Sequence, residues 1–363
     1  MNLLYIITGL GIGGAEIVTI NIANEMCKRG HKVSLLFLTG NNRLSYLIDK
    51  NIIILGGGMK KNLYSLIKML FLAKRYVSVF HPQVVHSHMF HANIFSRILH
   101  AFNHSFALIT TEHNKNIGSN VRMFFYRLTD WLSDINTNVS NEATTYFINQ
   151  NVFSPKKTFT VYNGLALEKF GRNELLGECI RKQYGISSNE FLFLNVGRLT
   201  EAKDQINLIE AFSMLYIKYN WVKLLILGEG ELRRKLEILI HKYKLNNNVF
   251  LAGAHSNVID YYSAANCFIL SSAWEGLPMT IIEAKAASLP IISTMVAQEI
   301  VDPAYVVPIR NSIELMRKME VVVLMSPKQL KYIGEKNKHE STIFDIEAIC
   351  DKWEYYYNQL AYI

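Results

Sequence analysis

The stretch "NLLYIITGLGIGGAEIVTINIANEMCKRGHKVSLLFL" (residues 2–38) reads as one complete βαβ unit. An apolar run, "NLLYIIT" (2–8), leads into a glycine-rich turn, a helical stretch "AEIVTINIANEMCKRG" (15–30) and a second apolar run, "KVSLLFL" (32–38). Short apolar runs recur at "IIIL" (52–55), "QVVHSH" (83–88), "ALITTEH" (107–113), "DINTNVS" (134–140) and "TFTVYNG" (158–164), several of them separated by helical stretches. Such alternation predicts an α/β fold, with a mostly parallel sheet covered by helices on both faces.

Near Gly171 to Ser188 the pattern restarts. "FLFLNVG" (191–197), a helical "DQINLIEAFSMLYIKY" (204–219), "VKLLILG" (222–228), a charged helix from Glu231, "NVFLAG" (248–253) and "NCFILSS" (266–272) form a second series. A chain of 363 residues is too long for one ordinary core, so two α/β lobes are expected. The tail "DIEAICDKWEYYYNQLAYI" (345–363) has helical spacing and an aromatic stripe, and is expected to pack on a lobe.

With 50% hydrophobic and 19% charged residues the chain can bury two cores and does not read as disordered. Cys27, Cys179, Cys267 and Cys350 are widely spaced and form no CxxC pair, which suggests reduced core thiols in a cytosolic protein. The apolar run at the N-terminus is too short to span a bilayer and has no basic segment before it, so neither a signal peptide nor a transmembrane helix is expected. A net charge of +8 suits an anionic membrane face or a phosphorylated substrate. No zinc knuckle, helix-turn-helix or RNP signature supports nucleic acid as a partner.

Gly9, Gly11 and Gly14 match the GxGxxG spacing of a dinucleotide site. That chemistry needs a carboxylate at the end of the second strand for the ribose hydroxyls, and "LLFLTGNN" has none. NAD is therefore disfavoured. The glycines make either a tight loop that lets backbone approach a ligand or a turn packed for structure only.

In the second lobe, "SSAWEGLPMTIIEAKAASLP" (271–290) places Glu275 just before, and Glu283 about one and a half turns inside, a helix expected to begin at Pro278. The amides of Met279, Thr280 and Ile281 would then be unpaired at the positive end of the helix dipole, which makes an anion site. Carboxylates beside a phosphate repel it, so their natural partners are hydroxyls, and phosphate flanked by hydroxyls describes a nucleotide sugar. Alternatively, Glu283 caps or pairs within its helix. "NVGRLTEAKDQ" (195–205) adds Arg198 and Lys203 at the carboxyl edge of a strand, where they either neutralise a diphosphate or form a solvated loop.

In this order, "VGRLTEAKDQINLIEAF", "LLILGEGELRRKLE", "NVFLAG" and "AWEGLPMTIIEAKAASLPII" resemble the group 1 signature of family 4 retaining glycosyltransferases, with Glu275 to Glu283 as the EX7E motif. "GIGGAE" (11–16), "TTEHN" (110–114), "NVSNEATTYF" (138–147) and "VYNGLALEKF" (161–170) agree in the first lobe, so the resemblance covers nearly the whole chain. It implies a GT-B fold: two Rossmann-like domains facing a central cleft, with the C-terminal helix crossing back to the first. Residues 1–168 plus 346–363 would bind the acceptor and 169–345 the nucleotide sugar.

By this resemblance Arg198 and Lys203 hold the donor diphosphate, and Glu283 binds the ribose. Glu275, with the backbone of Gly276, Leu277, Pro278, Met279 and Thr280, holds the donor sugar and phosphates. Gly13 and Gly14 would lie near the phosphates and His113 near the sugar, although a structural role for His113 stands beside that reading. The resemblance also implies that no metal and no other cofactor is needed, which suits a sequence with no DxD motif in a suitable loop. One departure is that "MVAQEIVDPAYVVP" (295–308) lacks the family's glycine-rich turn, while Glu299 keeps its place.

"KKNLYSLIKMLFLAKRYVSVF" (60–80) and "NVRMFFYRLTDWLSD" (120–134) mix basic and aromatic residues at helical spacing, which fits either core-packed amphipathic helices or interfacial binding. The overall expectation is a cytoplasmic enzyme, peripheral on the inner face of the cytoplasmic membrane. It would transfer a hexosyl or N-acetylhexosaminyl unit, with a UDP-sugar favoured as donor. The acceptor would be a saccharide, polyprenyl-diphosphate-linked, in bacterial O-antigen, capsule or lipopolysaccharide synthesis. A GT-B-fold sugar-nucleotide epimerase and a non-catalytic membrane-associated scaffold are the alternatives.

Overall fold

The computed structural model describes residues 1–361 apart from 12, 41, 61, 116 and 256. Ile12, inside the glycine-rich turn, and the last two residues of the tail therefore lie outside the described residues. The chain divides into two compact units, Met1–Leu165 with Phe344–Ile363, and Ala166–Ile343.

The first unit begins with β1 (Asn2–Ile7), α1 (Gly14–Lys28), β2 (Lys32–Phe37), β3 (Ile53–Gly56), α2 (Leu63–Phe80), β4 (Val84–His88) and α3 (Phe90–Phe102). It continues with β5 (Ala107–Glu112), α4 (Asn120–Thr129), β6 (Ile135–Asn138), α5 (Asn141–Asn149) and β7 (Thr158–Thr160). The second unit begins with α6 (Glu174–Gln183), β8 (Phe191–Val196), α7 (Gln205–Lys218), β9 (Val222–Leu227), α8 (Arg233–Lys242), β10 (Val249–Gly253) and α9 (Val258–Ala264). It ends with β11 (Cys267–Leu270), α10 (Met279–Ala286), β12 (Ile291–Thr294), β13 (Val306–Val307), α11 (Ser312–Val323) and α12 (Pro327–Ser341), before α13 (Ile346–Ala361) returns to the first unit.

The first unit holds a seven-stranded sheet in the order β3-β2-β1-β4-β5-β6-β7, and the second a six-stranded sheet in the order β10-β9-β8-β11-β12-β13. Every pairing between named strands is parallel. The strand order reverses between β1 and β4 and between β8 and β11. These are the points where crossovers leave the sheet in opposite directions and open a crevice at the carboxyl edge. Both units are thus Rossmann-like, and together they are the GT-B fold.

One face of the first sheet packs apolar residues of α2 and α3, including Met69, Ala73, Phe95 and Leu99, against Leu4, Ile6, Leu36 and Val85. The other face is polar at its centre, and α13 covers it. Tyr357 OH lies 2.7 Å from His86 Nδ1 and 3.1 Å from Tyr5 OH. His86 Nε2 lies 2.7 Å from Thr111 Oγ1, which is 2.6 Å from Thr137 Oγ1. Trp353 packs against His86 at 4.4 Å between ring centroids, with the ring planes inclined by 55°. At the rim, Arg29 donates to Asp351 Oδ1 (2.8 Å) and Glu354 Oε2 (2.6 Å), tying α13 to the end of α1.

Several boundaries and burials differ from the sequence reading. The helix expected over 120–134 stops at Thr129 and continues only as a 3-10 turn, Asp130–Leu132. α8 starts at Arg233 rather than Glu231, with Leu232 as its N-cap and the Leu232 amide donating to the Leu199 carbonyl at 3.1 Å. Among the cysteines only Cys267 and Cys350 are buried, whereas Cys27 is half-buried and Cys179 is exposed on α6. Helical spacing alone did not separate the inner from the outer side of that short, polar helix.

Tyr357→Phe keeps the ring but removes the hydroxyl that joins α13 to His86 and Tyr5, leaving His86 Nδ1 buried without its partner. The expected cost is about 1–3 kcal/mol of unfolding free energy, read from the urea midpoint at constant m-value.

Candidate functional site

The reversal point of the second sheet gathers the residues that the sequence singled out. Asn195, near the end of β8, donates from Nδ2 to the Ile269 carbonyl of β11 at 2.8 Å. Beyond the strand ends, the Ala273 amide donates to the Ala202 carbonyl and Ser271 Oγ donates to the Lys203 carbonyl, each at 2.8 Å. The loop after β8 is held on its other side by the loop after β9, through Gly197 N to Leu227 O (2.9 Å) and Leu199 N to Glu229 O (3.0 Å). Gly228 sits there at φ +138°, and a Cβ on it would overlap the Gly197 carbonyl, so only glycine allows the two loops this approach.

These ties bring Lys203 and Glu275 together. Lys203 Nζ donates to Glu275 Oε1, which also accepts from Ser272 Oγ at 2.7 Å. Both side chains are largely shielded, 20% and 13% exposed, so the pair is electrically neutral and fixed in direction. Arg198, from the same loop, is exposed, and its guanidinium has no hydrogen bond or ion pair among the described residues. The cation left for an anionic ligand is therefore Arg198, and Lys203 comes already balanced by Glu275.

Glu283, on α10, is half-buried and accepts from Tyr262 OH at 2.7 Å, so its partner comes from α9 and not from its own helix. Burial raises its carboxyl above the ordinary range, opposed by the Tyr262 hydrogen bond and by the charge of Lys203. Lys203 thus acts on both glutamates. The start of α10 corrects the sequence reading in two respects. Pro278 is the N-cap, with the helix beginning at Met279, and the Ile281 amide donates to the Pro278 carbonyl at 3.0 Å. Two amides, those of Met279 and Thr280, remain at the helix end instead of three. Thr280 Oγ1 is buried without a partner among the described residues, while Leu277 is buried and Gly276 half-buried in the turn before it. The glycine-free "MVAQ" segment forms a 3-10 turn, Met295–Ala297, followed by an exposed Glu299.

In the first unit Gly13 is the N-cap of α1 and Gly14 its first residue. A Cβ on Gly13 would overlap the Glu16 carboxylate, whereas a Cβ on Gly14 would meet nothing within 4 Å. His113 follows directly on β5, and its Nε2 lies 3.1 Å from Nδ1 of His88, at the end of β4. Glu112 Oε1 accepts from the amides of His113 (2.9 Å) and Asn114 (3.3 Å), so backbone and ring are held separately. Burial pushes His113 down to about 4 and His88 well below the ordinary histidine range, so both rings are neutral near pH 7. His88, Tyr262, Ser272 and Gly228 were not singled out from the sequence. The "HSH" and "GEG" stretches carried a signal for two of them; Tyr262 and Ser272 carried none, because their partners are remote in sequence or set by the turn.

Two doubly wound units, the second with charged groups gathered at its switch point, define an α/β protein whose ligand crevices lie at the carboxyl edges of its sheets. Residues 12–169 match the model of "Glycosyltransferase Family 4" and residues 178–340 that of "Glycosyl transferases group 1". The chain belongs to the group 1, family 4 glycosyltransferases.

It is similar to an uncharacterised glycosyltransferase of Methanocaldococcus jannaschii, 34% identical over 68% of this chain and 65% of that protein. It is also similar to the UDP-Gal:alpha-D-GlcNAc-diphosphoundecaprenol alpha-1,3-galactosyltransferase of Escherichia coli, 28% identical over 64% of this chain and 61% of that protein. The chain thus spans a little under two thirds of the length of these curated relatives. Among solved structures, HepE of Anabaena in complex with UDP superposes with a TM-score of 0.85 at 18% identity, covering 99% of this chain and 100% of HepE, which is a likeness of fold.

The depressed His113 value has a signed consequence. Above pH 6.5 both folded and unfolded chains hold the ring neutral; as pH falls toward 4 the unfolded chain takes up a proton that the folded one refuses, so stability falls. His113→Gln should lose less stability than the native chain between pH 7 and pH 4, by roughly 3 kcal/mol, in urea titrations at the two values.

Proposed function

We propose that this protein is a retaining glycosyltransferase that moves a hexosyl or N-acetylhexosaminyl unit from a UDP-sugar to a saccharide on a polyprenyl-diphosphate carrier, in bacterial surface polysaccharide assembly. The observation that carries this reading is the switch-point cluster of the second unit: an unpartnered Arg198, the Lys203–Glu275 pair and the open start of α10. Arg198 faces the donor diphosphate, and the Met279 and Thr280 amides add the partial positive charge of the helix end. Glu283, oriented by Tyr262, accepts from ribose hydroxyls. Glu275, with the Gly276 to Met279 backbone, meets the sugar and phosphates. In the first unit, the neutral imidazole of His113 suits a sugar hydroxyl, and Gly13 and Gly14 offer amides to an anion.

These groups support transfer without a metal. As the bond from the anomeric carbon to the diphosphate breaks, the charge that builds on the leaving oxygen is stabilised by Arg198 and the helix end, beside the Lys203–Glu275 pair. The acceptor hydroxyl attacks the same face and gives its proton to the departing diphosphate, so configuration is retained and no protein nucleophile is required.

Membrane association on the cytoplasmic face is part of the proposal. No helix among the described residues is long and apolar enough to cross a bilayer. The sequences of α2, α3 and α4 contain no Asp or Glu, and α2 and α4 expose Tyr64, Ile67, Phe71, Phe124 and Leu128 beside Lys68, Lys74, Arg75 and Arg127. Apolar and aromatic side chains interleaved with uncompensated cations suit an anionic lipid surface.

Incubation with a panel of UDP-sugars and a lipid-linked saccharide should give product with the donor's anomeric configuration, and EDTA should not reduce the rate. Arg198→Ala should lower kcat by about 10²–10³-fold with the fold intact. A strict requirement for magnesium, or near-native turnover by the Arg198 variant, would overturn the mechanism. Vesicles containing phosphatidylglycerol should float with the native chain, and Phe71→Glu should reduce that binding.

A further inference from the structure

A cavity of about 470 Å³ opens in the first unit between α2 and the ends of β2 and β3. Leu36, Leu55, Met69, Leu72 and Ala73 form most of its wall, and the Tyr76 hydroxyl is turned to Ser34 Oγ at 2.9 Å. Volume and lining are those of a small-ligand site, mostly apolar with few polar groups. α2 runs back along the sheet, for its last carbonyl, that of Phe80, accepts from Asn2 Nδ2 at 2.8 Å at the start of β1. Its N-terminal half, with the cavity, therefore lies toward the carboxyl edge, the edge that also carries Gly13, His88 and His113.

Charge and exposure specify the occupant. Lys68 belongs to the lining and has no ion pair or hydrogen bond among the described residues. No carboxylate lies on α2 to balance it. Leu72, half of it exposed at 51%, carries the apolar lining out to Phe71 and Ile67 on the outer face of the helix. An apolar cavity with a free cation in its wall, continuous with an exposed apolar surface, is complementary to an amphiphile with an anionic head. The carrier of the proposed acceptor is such an amphiphile, with methyl-branched isoprenoid units next to its diphosphate.

We propose that this cavity takes the isoprenoid units next to the diphosphate of a polyprenyl-diphosphate-linked acceptor, with Lys68 against the diphosphate. The proposal rests on the reading of the protein as a transferase acting on a lipid-linked saccharide. It adds the place on the chain where the carrier lipid is recognised.

Two variants narrow the cavity from different sides. Ala73→Phe fills its wall, and Gly58→Leu fills its rim, where a Cβ meets nothing within 4 Å and folding is not strained. Binding is read first, with phosphatidylcholine vesicles containing either undecaprenyl phosphate or an equal charge of phosphatidylglycerol. The native chain should prefer the undecaprenyl phosphate vesicles about tenfold, and either variant should bring that preference close to one. Equal binding of both vesicles by the native chain, or an unchanged preference in both variants, overturns the proposal. In the transfer assay, the ratio of kcat/KM for a polyprenyl-linked over a butyl-linked saccharide should fall about tenfold in the variants. Lipid preference without transfer to either acceptor would sink the transferase reading and leave the lipid site standing.

Discussion

The second unit depends on one constraint: two parallel strands, β8 and β11, end side by side while their crossovers leave in opposite directions. Backbone groups just past such strand ends have lost their ladder partners and must find others. Here the Ala273 amide finds the Ala202 carbonyl, and the Lys203 carbonyl accepts from the Ser271 hydroxyl. That cross-tie sets the separation of the two loops, and so brings Lys203 onto Glu275. An ion pair between half-buried side chains is favourable only in good geometry, and the tied backbone supplies that geometry before any ligand arrives.

The first unit handles its reversal point differently. Its sheet carries tyrosine, threonine and histidine at the centre of one face, where a parallel sheet is ordinarily apolar. Each of those groups costs free energy when buried unless it is hydrogen-bonded, and Tyr357 supplies the partner for both His86 and Tyr5. The C-terminal helix is therefore part of this core rather than a cover laid over it. The same burial that demands these bonds keeps His88 and His113 neutral, with one ring oriented by the other.

Much of the architecture was legible because parallel strands are buried on both faces and so appear as uninterrupted apolar runs. "FLFLNV" and "VKLLIL" needed no long-range information, and the crossovers between them leave little freedom in strand order. Helix ends were less legible. Pro278 reads naturally as a first helical residue, but its ψ of 102° makes it a cap, and the tight turn that follows consumes the Ile281 amide. Cys179 fell on a helix whose inner side is marked only by Gly177 and Ile180, too few residues to orient it from spacing.

At the site, the amino-acid sequence by itself determined which groups follow the strand ends: Arg198, Lys203 and Glu275 stand in loops where the apolar runs stop, and Glu283 on the helix after the second of them. It could not determine their partners, because a hydrogen bond depends on positions brought together by folding and not on spacing along the chain. Lys203 is 72 residues from Glu275 and Tyr262 is 21 from Glu283. Only the tertiary structure decided that Lys203 is neutralised and Arg198 is not, and that His113 is oriented by His88. The physical reason is that local pattern sets which side chains reach an edge, while packing sets which of them remain unpaired when they get there.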